Sequence, residues 1–295
     1  MKSFDINRFG RTLRWVVSVN IRKMLLWFVG SIVAVFLGEI AFQAINHWDG
    51  PYSMLSDFSQ FMTMLMVLVS LILISSITTN INEKRKREAF LMLPASNLEK
   101  YLSLVVYTSV ICIACLFLAI VIGDSLRMAW YWVSGYNPIG NWVNESFRGR
   151  SWQWWSSAIP MLIENLTPRI TNSVGVPTDL LIVEVSFIVG FVLWIHSIYT
   201  LGGTLLRKYS FVATSVFVIL CITLFVRLIF AFHLSIFHTR WNNGELIEYE
   251  IGAISWILVI AFPILSIANY WISFRIFKGF ELITNKWTNY DFYKR

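Results

Sequence analysis

The chain has 295 residues, of which 57% are hydrophobic and only 14% charged, and it carries a formal net charge of +7 with three cysteines. Soluble domains usually have about 45–50% apolar and about 25% charged residues, so this composition argues against a soluble globule or a disordered chain. Three cysteines are also too few for a disulfide scaffold, which leaves a multi-pass membrane protein as the class that fits.

Six apolar runs are long enough to cross a bilayer, which requires roughly 20 residues of helix. They cover residues 24–45, 59–79, 102–123, 180–205, 210–232 and 253–277. Such runs must be helical, because lipid offers no hydrogen-bond partner to backbone N–H and C=O groups. The predicted fold is therefore all-α, a single transmembrane domain of six helices over residues 1–295.

The segment before the first run, residues 1–23, has an apolar helical face that includes Phe4, Phe9 and Leu13, and it contains six Lys or Arg residues. This pattern is typical of an amphipathic helix lying on the inner leaflet, although an ordinary basic flank would look similar. The first run has 22 residues, too long for the apolar core of a signal peptide, so we expect it to remain in the membrane.

Small residues recur every four positions along the first run, at Gly30, Ala34 and Gly38. Such a ridge allows two helix backbones to approach closely. The spacing predicts helix packing, with a partner either in this chain or in a second copy.

The segment 80–101 joins the second and third runs and contains the sequence EKRKREAFLMLPASNLEK. Pro94 should end a short helix, because the residue before proline disfavours the α conformation. Ser96 and Glu99 then have the spacing of a capping box, which begins the next helix. A short amphipathic helix of this kind could dock into a groove of another protein or rest among lipid headgroups.

This segment resembles the coupling helix of type-2 ATP-binding-cassette export permeases, in which acidic and basic residues precede a short apolar stretch, a proline, a serine and a glutamate. The positions that fit the pattern are Glu83, Arg87, Leu91, Leu93, Pro94, Ser96 and Glu99. The location between the second and third of six spans is also similar, as is the amphipathic N-terminal stretch.

The resemblance implies that the chain is a permease subunit of an exporter, without enzymatic activity of its own, in a bacterial inner membrane. It implies a cytoplasmic ATPase partner, a second permease copy and ATP bound only by the partner, since this sequence has no P-loop. It places ATPase docking on Glu83, Arg87, Glu88, Phe90, Leu91, Leu93 and Pro94.

The segment 124–179 is the largest predicted extramembrane piece and contains six tryptophans. Tryptophan prefers the headgroup region, so this outer loop could be an interfacial cap or a vestibule for a substrate.

Three ionisable residues lie inside the apolar runs, at Glu39, Glu184 and Arg227. A charge at the bilayer centre costs at least about 2.5–3.5 kcal/mol. Their positions along the runs suggest a similar depth near the outer surface, where Arg227 could pair with Glu184 or Glu39. Independent snorkelling of each side chain to the interface is the alternative.

Lysine and arginine predict the orientation, since cytoplasmic loops are enriched in them. With the N-terminus inside, 18 of the 24 lie in inner segments, so both termini are predicted to be cytoplasmic. These cations lie beside membrane spans, and no nucleic-acid motif accompanies them. We therefore expect anionic lipid as a partner and no nucleic acid.

Two other functional classes stay open. A membrane-embedded enzyme would need clustered catalytic groups or metal ligands, and no such cluster, metal site or catalytic residue is evident in the sequence. A structural or sensory membrane subunit would show no nucleotide-dependent change.

Overall fold

A computed structural model describes residues 4–45, 50–81, 83–135, 145–147, 150–153, 155–167, 178–206, 208–232, 237–242 and 245–279. Parts of the predicted outer loop, including residues 136–144 and 168–177, lie outside this description, as does the C-terminal segment 280–295. The helices are α1 (Ile6–Ile45), α2 (Pro51–Ser75), α3 (Lys84–Met92), α4 (Asn97–Val106), α5 (Cys112–Ser134), α6 (Ile159–Leu166), α7 (Thr178–Leu205), α8 (Ser210–Ala231) and α9 (Ala253–Lys278).

Among the described residues, six helical segments are long and apolar enough to cross a membrane, as predicted. They are Ile6–Glu39, Pro51–Ser75, Asn97–Ser134, Thr178–Leu205, Ser210–Ala231 and Ala253–Lys278. The third is a single helical stretch, because a π-helical turn over Tyr107–Ile111 joins α4 to α5. The chain is therefore a helical, multi-pass membrane protein.

Three predicted span boundaries differ from the structure, one of them being the start of α2, which lies at Pro51 and not at residue 59. Helix α1 has 40 residues and is continuous across residues 23 and 24. At a rise of 1.5 Å per residue it is about 60 Å long, so the predicted interfacial segment and the first span are one helix. Helix α5 continues past Gly123 to Ser134, which places Asp124 and Arg127 within a helix, not in a loop.

Two short antiparallel hairpins accompany the helices, and the apolar pattern alone did not predict them. Strand β1 (Glu145–Phe147) pairs with β2 (Arg150–Trp152). Strand β3 (Phe237–Asn242) pairs with β4 (Glu245–Ile251), with an irregularity in register between Arg240 and Trp241. Both hairpins lie in segments predicted to be outside the membrane.

The chain divides into two compact units. One contains residues 1–17, 71–108 and 168–295, and the other contains residues 18–70 and 109–167. Three continuous helical stretches, namely α1, α2 and the α4–α5 stretch, contribute residues to both units.

The core of the first unit is the packing of α7 against α9. The ring of Phe262 contacts those of Phe187, Phe191 and Trp194, with centroid distances of 5.5–5.6 Å. Gly190 lies at the same crossing, and a Cβ atom there would be 3.3 Å from that of Phe262. Small and aromatic residues thus let the two backbones approach closely.

Polar side chains also join helices within this unit. Ser273 of α9 accepts a hydrogen bond of 3.0 Å from Tyr101 of α4 and lies 3.0 Å from the hydroxyl of Thr204 of α7. Asn269 donates to Ser197, and His196 bonds to Tyr270. Such bonds satisfy polar groups that lipid would leave without partners.

The core of the second unit lies between α1, α2 and α5. Met54, Leu55, Phe58 and Met62 of α2 are fully buried, as is Val35 of α1. Gly38 faces Phe61 of α2, and a Cβ atom there would be 2.5 Å from the ring.

The residues of the predicted small-residue ridge therefore have different surroundings. Gly38 packs within the chain, whereas a Cβ atom at Gly30 would meet nothing within 4 Å. Gly30 and Ala34 instead line an apolar groove of about 400 Å³ between α1 and α2.

Candidate functional site

The predicted coupling segment forms a helix, a break and a second helix, as its sequence indicated. Helix α3 begins after Glu83, whose backbone is extended, and ends at Leu93, whose ψ of 135° is set by the following Pro94. Helix α4 begins after Ser96, and the capping box is complete. Ser96 accepts from the Glu99 backbone at 3.3 Å, and Glu99 Oε2 accepts from the Ser96 backbone at 2.8 Å.

Glu99 also binds the first turn of α1. Its Oε1 accepts a hydrogen bond of 2.8 Å from the backbone N–H of Asp5 and one of 3.0 Å from Nη2 of Arg8. The Glu99 side chain is fully buried, whereas that of Arg8 is partly exposed. One carboxylate therefore caps α4 and holds the first turn of α1 beside it.

The inner face of α3 packs on aromatic rings from distant parts of the chain. The buried ring of Phe90 lies 5.7 Å from Trp15 of α1 and 6.4 Å from Phe277 of α9, measured between centroids. The Phe277 ring also contacts that of Tyr101 in α4 at 5.6 Å. Helices α1, α4 and α9 thus contribute rings to one aromatic cluster that includes Phe90 of α3.

A lysine completes the attachment. Lys100 is buried, and its Nζ donates a hydrogen bond of 2.7 Å to the main-chain oxygen of Leu91 in the last turn of α3. Carbonyls of a last turn lack helical partners, and the helix dipole favours a cation there. The end of α3 is therefore bonded to the first turn of α4.

Among the described residues, the outer face of α3 makes no such contacts, and it carries both charge and an apolar side chain. Met92 is 83% exposed, and Lys84, Arg85, Ala89 and Pro94 are exposed as well. Glu83 and Lys86 form an ion pair of 3.0 Å at the start of the helix. Within the described part of the chain, α3 is thus a short helix with one side packed against other helices and one side exposed.

The predicted docking residues fall on different sides of this helix. Glu83, Glu88, Leu91, Leu93 and Pro94 are exposed or half-buried. Phe90 and Arg87 are buried, so neither presents its side chain on the surface of α3, and their predicted role in ATPase docking stays a prediction. The sequence indicated that these side chains attach α3 to something, and in the structure they are directed towards the interior of the chain.

Met92 is the exposed apolar residue that sequence reasoning did not select. Helical spacing could have found it, because Arg85, Ala89 and Met92 recur at intervals of four and three residues and share one face.

The three intramembrane ionisable residues have separate environments. Glu39 is buried and accepts a hydrogen bond of 2.9 Å from Tyr131. Glu184 is half-buried, and its Oε2 has no hydrogen-bond partner in the part of the chain that the structure describes. Arg227 is exposed on α8 and, among the described residues, makes no ion pair with Glu184. Of the two alternatives for Arg227, its exposure favours independent snorkelling.

A buried ion pair that the sequence reading missed lies in α5. Nη2 of Arg127 lies 2.9 Å from Oδ1 of Asp124, and each side chain is 1% exposed. Arg127 also donates to the main-chain oxygen of Ser156. Asp124 accepts from Ser157 and from the backbone N–H of Ala158, at 2.7 and 3.2 Å. The spacing of three residues between opposite charges was the available signal.

No family model, no curated protein and no solved structure matches the chain. Within the described part of the chain, no three His, Cys, Asp or Glu side chains are grouped so that they could hold a metal ion. The interpretation of the site therefore depends on its geometry and on the resemblance in sequence described above.

Proposed function

We propose that this chain is the permease subunit of an ATP-driven exporter, and that a separate cytoplasmic ATPase docks on the outer face of α3. The observation that carries the proposal is the two-sided character of α3. Phe90 is fully buried against Trp15 and Phe277, while Met92 two residues further on is 83% exposed.

A docking element that transmits force must be attached firmly to the part that moves. Helix α3 meets that requirement through the Phe90 cluster, the bond from Lys100 to Leu91 and the backbone link to α4. A displaced α3 would therefore carry with it the first turn of α4, which continues into the third candidate span.

The exposed face is suited to a groove on a protein partner. Met92 supplies an unbranched apolar side chain, and Lys84, Arg85 and Glu88 supply charge around it. Exposed methionines adapt to the shape of a binding surface, and a rim of charge steers the encounter. ATP drives a conformational change only if the ATPase contacts two states of the permease differently, which the attachment of α3 to α4 permits.

In this proposal the transport unit contains two permease copies and two ATPases in a bacterial inner membrane, with both termini of each permease in the cytoplasm. ATP is bound by the ATPase alone. Anionic lipid surrounds the basic inner segments, as their lysines and arginines favour.

The test is co-purification of the ATPase from native membranes. The tagged full-length chain is extracted in a mild detergent, and proteins that remain bound are identified by mass spectrometry and assayed for ATP hydrolysis. We expect the wild-type chain to retain a P-loop ATPase. Met92→Glu should reduce the retained ATPase at least about tenfold, which corresponds to about 1.4 kcal/mol of binding free energy.

Tyr209→Asp is the matched control. Tyr209 is 71% exposed between α7 and α8, in a segment also predicted to be cytoplasmic. Its backbone has a φ of 55°, which aspartate tolerates. The control adds the same charge at an exposed site between α7 and α8, and it should leave the retained ATPase unchanged. Equal retention by the wild type and Met92→Glu would contradict docking on α3.

A further inference from the structure

A second feature of the chain, separate from α3, is the environment of Glu39 near the end of the first candidate span. Its side chain is 3% exposed and lies between α1, α2 and α5. Oε1 accepts a hydrogen bond of 2.9 Å from the hydroxyl of Tyr131, which also contacts the sulfur of Met54 at 3.8 Å. Oε2 is buried and, among the described residues, has no hydrogen-bond partner.

A carboxylate in this position would be poorly compensated. A buried ionised carboxylate needs a paired cation or several hydrogen bonds, and the described part of the chain gives Glu39 one. Breaking a buried charge pair is strongly destabilising, so an oxygen for which the described residues offer no partner is an unfavourable place for negative charge.

The charged groups that act on Glu39 are Arg127 and Asp124, both of α5. Arg127 bonds to Asp124 at 2.9 Å and to the main chain of Ser156. The three side chains thus comprise two carboxyl groups and one guanidinium. If both carboxyl groups were ionised, this buried set would retain one uncompensated negative charge.

The surrounding residues leave little room for a larger cation. Val35, Met54 and Leu55 are completely buried, and Phe58 is 1% exposed beneath the guanidinium of Arg127, which lies 5.2 Å from its ring centre. The same residues offer few oxygen ligands, whereas a hard cation prefers six or more. A proton needs neither space nor several ligands.

We propose that Glu39 is a proton-binding site, with the proton held on Oε2 while Oε1 accepts the hydrogen bond from Tyr131. Proton binding makes the side chain neutral and leaves Asp124 and Arg127 as a balanced pair. Proton release would place an unpaired charge where α1, α2 and α5 meet and would favour their separation. Intramembrane carboxyl groups of this kind serve in proton relays and pumps. This proposal does not depend on ATPase docking.

The test is infrared difference spectroscopy of the full-length chain in lipid nanodiscs as the pH is changed. A neutral carboxylic acid has a carbonyl stretching band that disappears when the proton leaves. We expect such a band at neutral pH in the wild type and its loss in Glu39→Gln, which has nearly the same shape. Glu164→Gln, in α6 of the same unit, is the control and should retain the band.

Tyr131→Phe provides a second test, in which the carboxyl group of Glu39 is retained. It retains the ring and deletes the hydroxyl that bonds to Oε1, so the band should persist at a shifted frequency. A wild-type spectrum without the band, or a band unchanged in both Glu39→Gln and Tyr131→Phe, would overturn the proposal. Loss of the band in Glu184→Gln alone would assign the proton to Glu184 and would overturn it equally.

Discussion

Lys100 donates a hydrogen bond of 2.7 Å from its Nζ to the main-chain oxygen of Leu91, and this bond joins the end of α3 to the beginning of α4. The lysine is buried, and its positive charge lies at the negative end of the α3 dipole. The corner between the two helices is thus held by a bond as well as by the aromatic cluster around Phe90.

Replacement of Lys100 by methionine should therefore loosen the corner. Methionine keeps much of the apolar stem but leaves the carbonyl of Leu91 without a donor, so we expect a loss of about 1–3 kcal/mol in stability. Thermal unfolding in detergent would measure the loss. Lys84→Met, at an exposed position on α3, serves as the control. An equal effect of the two substitutions would show that the bond contributes nothing specific.

The two faces of α3 should respond differently to truncation. Phe90→Ala removes a buried ring and should destabilise the protein by about 3–5 kcal/mol. Met92→Ala removes an exposed side chain and should change stability by less than about 0.5 kcal/mol. Chemical denaturation of both variants would check this contrast. A large effect at Met92 together with a small one at Phe90 would mean that the helix is rotated.

Glu99 should hold the N-terminal turn of α1 in place. Glu99→Gln retains the size of the side chain but removes its negative charge. That charge binds Arg8 at 3.0 Å and makes the hydrogen bond from the Asp5 backbone stronger in the wild type. We expect amide exchange in the first turn of α1 to rise about tenfold or more, since a tenfold change corresponds to about 1.4 kcal/mol. Hydrogen exchange with mass spectrometry would measure it.

Glu83→Gln is the control for that experiment, because the exposed Glu83–Lys86 pair is of the surface type that contributes about 0–1 kcal/mol. Unchanged exchange near Asp5 in Glu99→Gln would contradict the holding role of Glu99.

The sequence predicted the membrane helices and the corner at Pro94 well, because both depend on local rules. Apolar length determines a span, and Pro94 with the Ser96–Glu99 box determines where one helix ends and the next begins. The continuity of α1 was not predicted, since the change from basic to apolar residues near residue 23 alters the environment of a helix without breaking it.

The missed features depend on contacts between distant residues. The inward orientation of Phe90 is set by Trp15 and Phe277, which are far away in sequence. Asp124 and Arg127 interrupt the apolar pattern and so indicated a loop, whereas their mutual pairing and the contacts with Ser157 and Ala158 keep them buried in a helix. Charge alone does not reveal whether its partner is water or another side chain.

A close approach within the first unit leads to a further prediction. A Cβ atom at Gly203 would lie 2.5 Å from the main-chain oxygen of Ser75, and Thr78 donates a hydrogen bond of 2.6 Å to the oxygen of Gly203. Gly203→Ala should therefore push α7 away from the end of α2 and reduce the yield of folded protein severalfold. Size-exclusion chromatography of the solubilised protein would measure that yield.

Gly30→Ala is the matched substitution, since nothing lies within 4 Å of a Cβ atom there. Alanine is more favourable than glycine in a helix by up to about 1 kcal/mol, so this variant should fold at least as well as the wild type. A normal yield of Gly203→Ala would show that the backbones are not in close contact.

The most direct measurement is photocrosslinking from position 92 in native membranes. A photoreactive amino acid replaces Met92 in one chain and Tyr209 in another, and the products are identified after illumination with and without ATP. The account predicts an adduct between position 92 and a P-loop ATPase, with a yield that changes when ATP is added, and no such adduct from position 209. Absence of the adduct at position 92, or equal adducts from both positions, would contradict docking on α3.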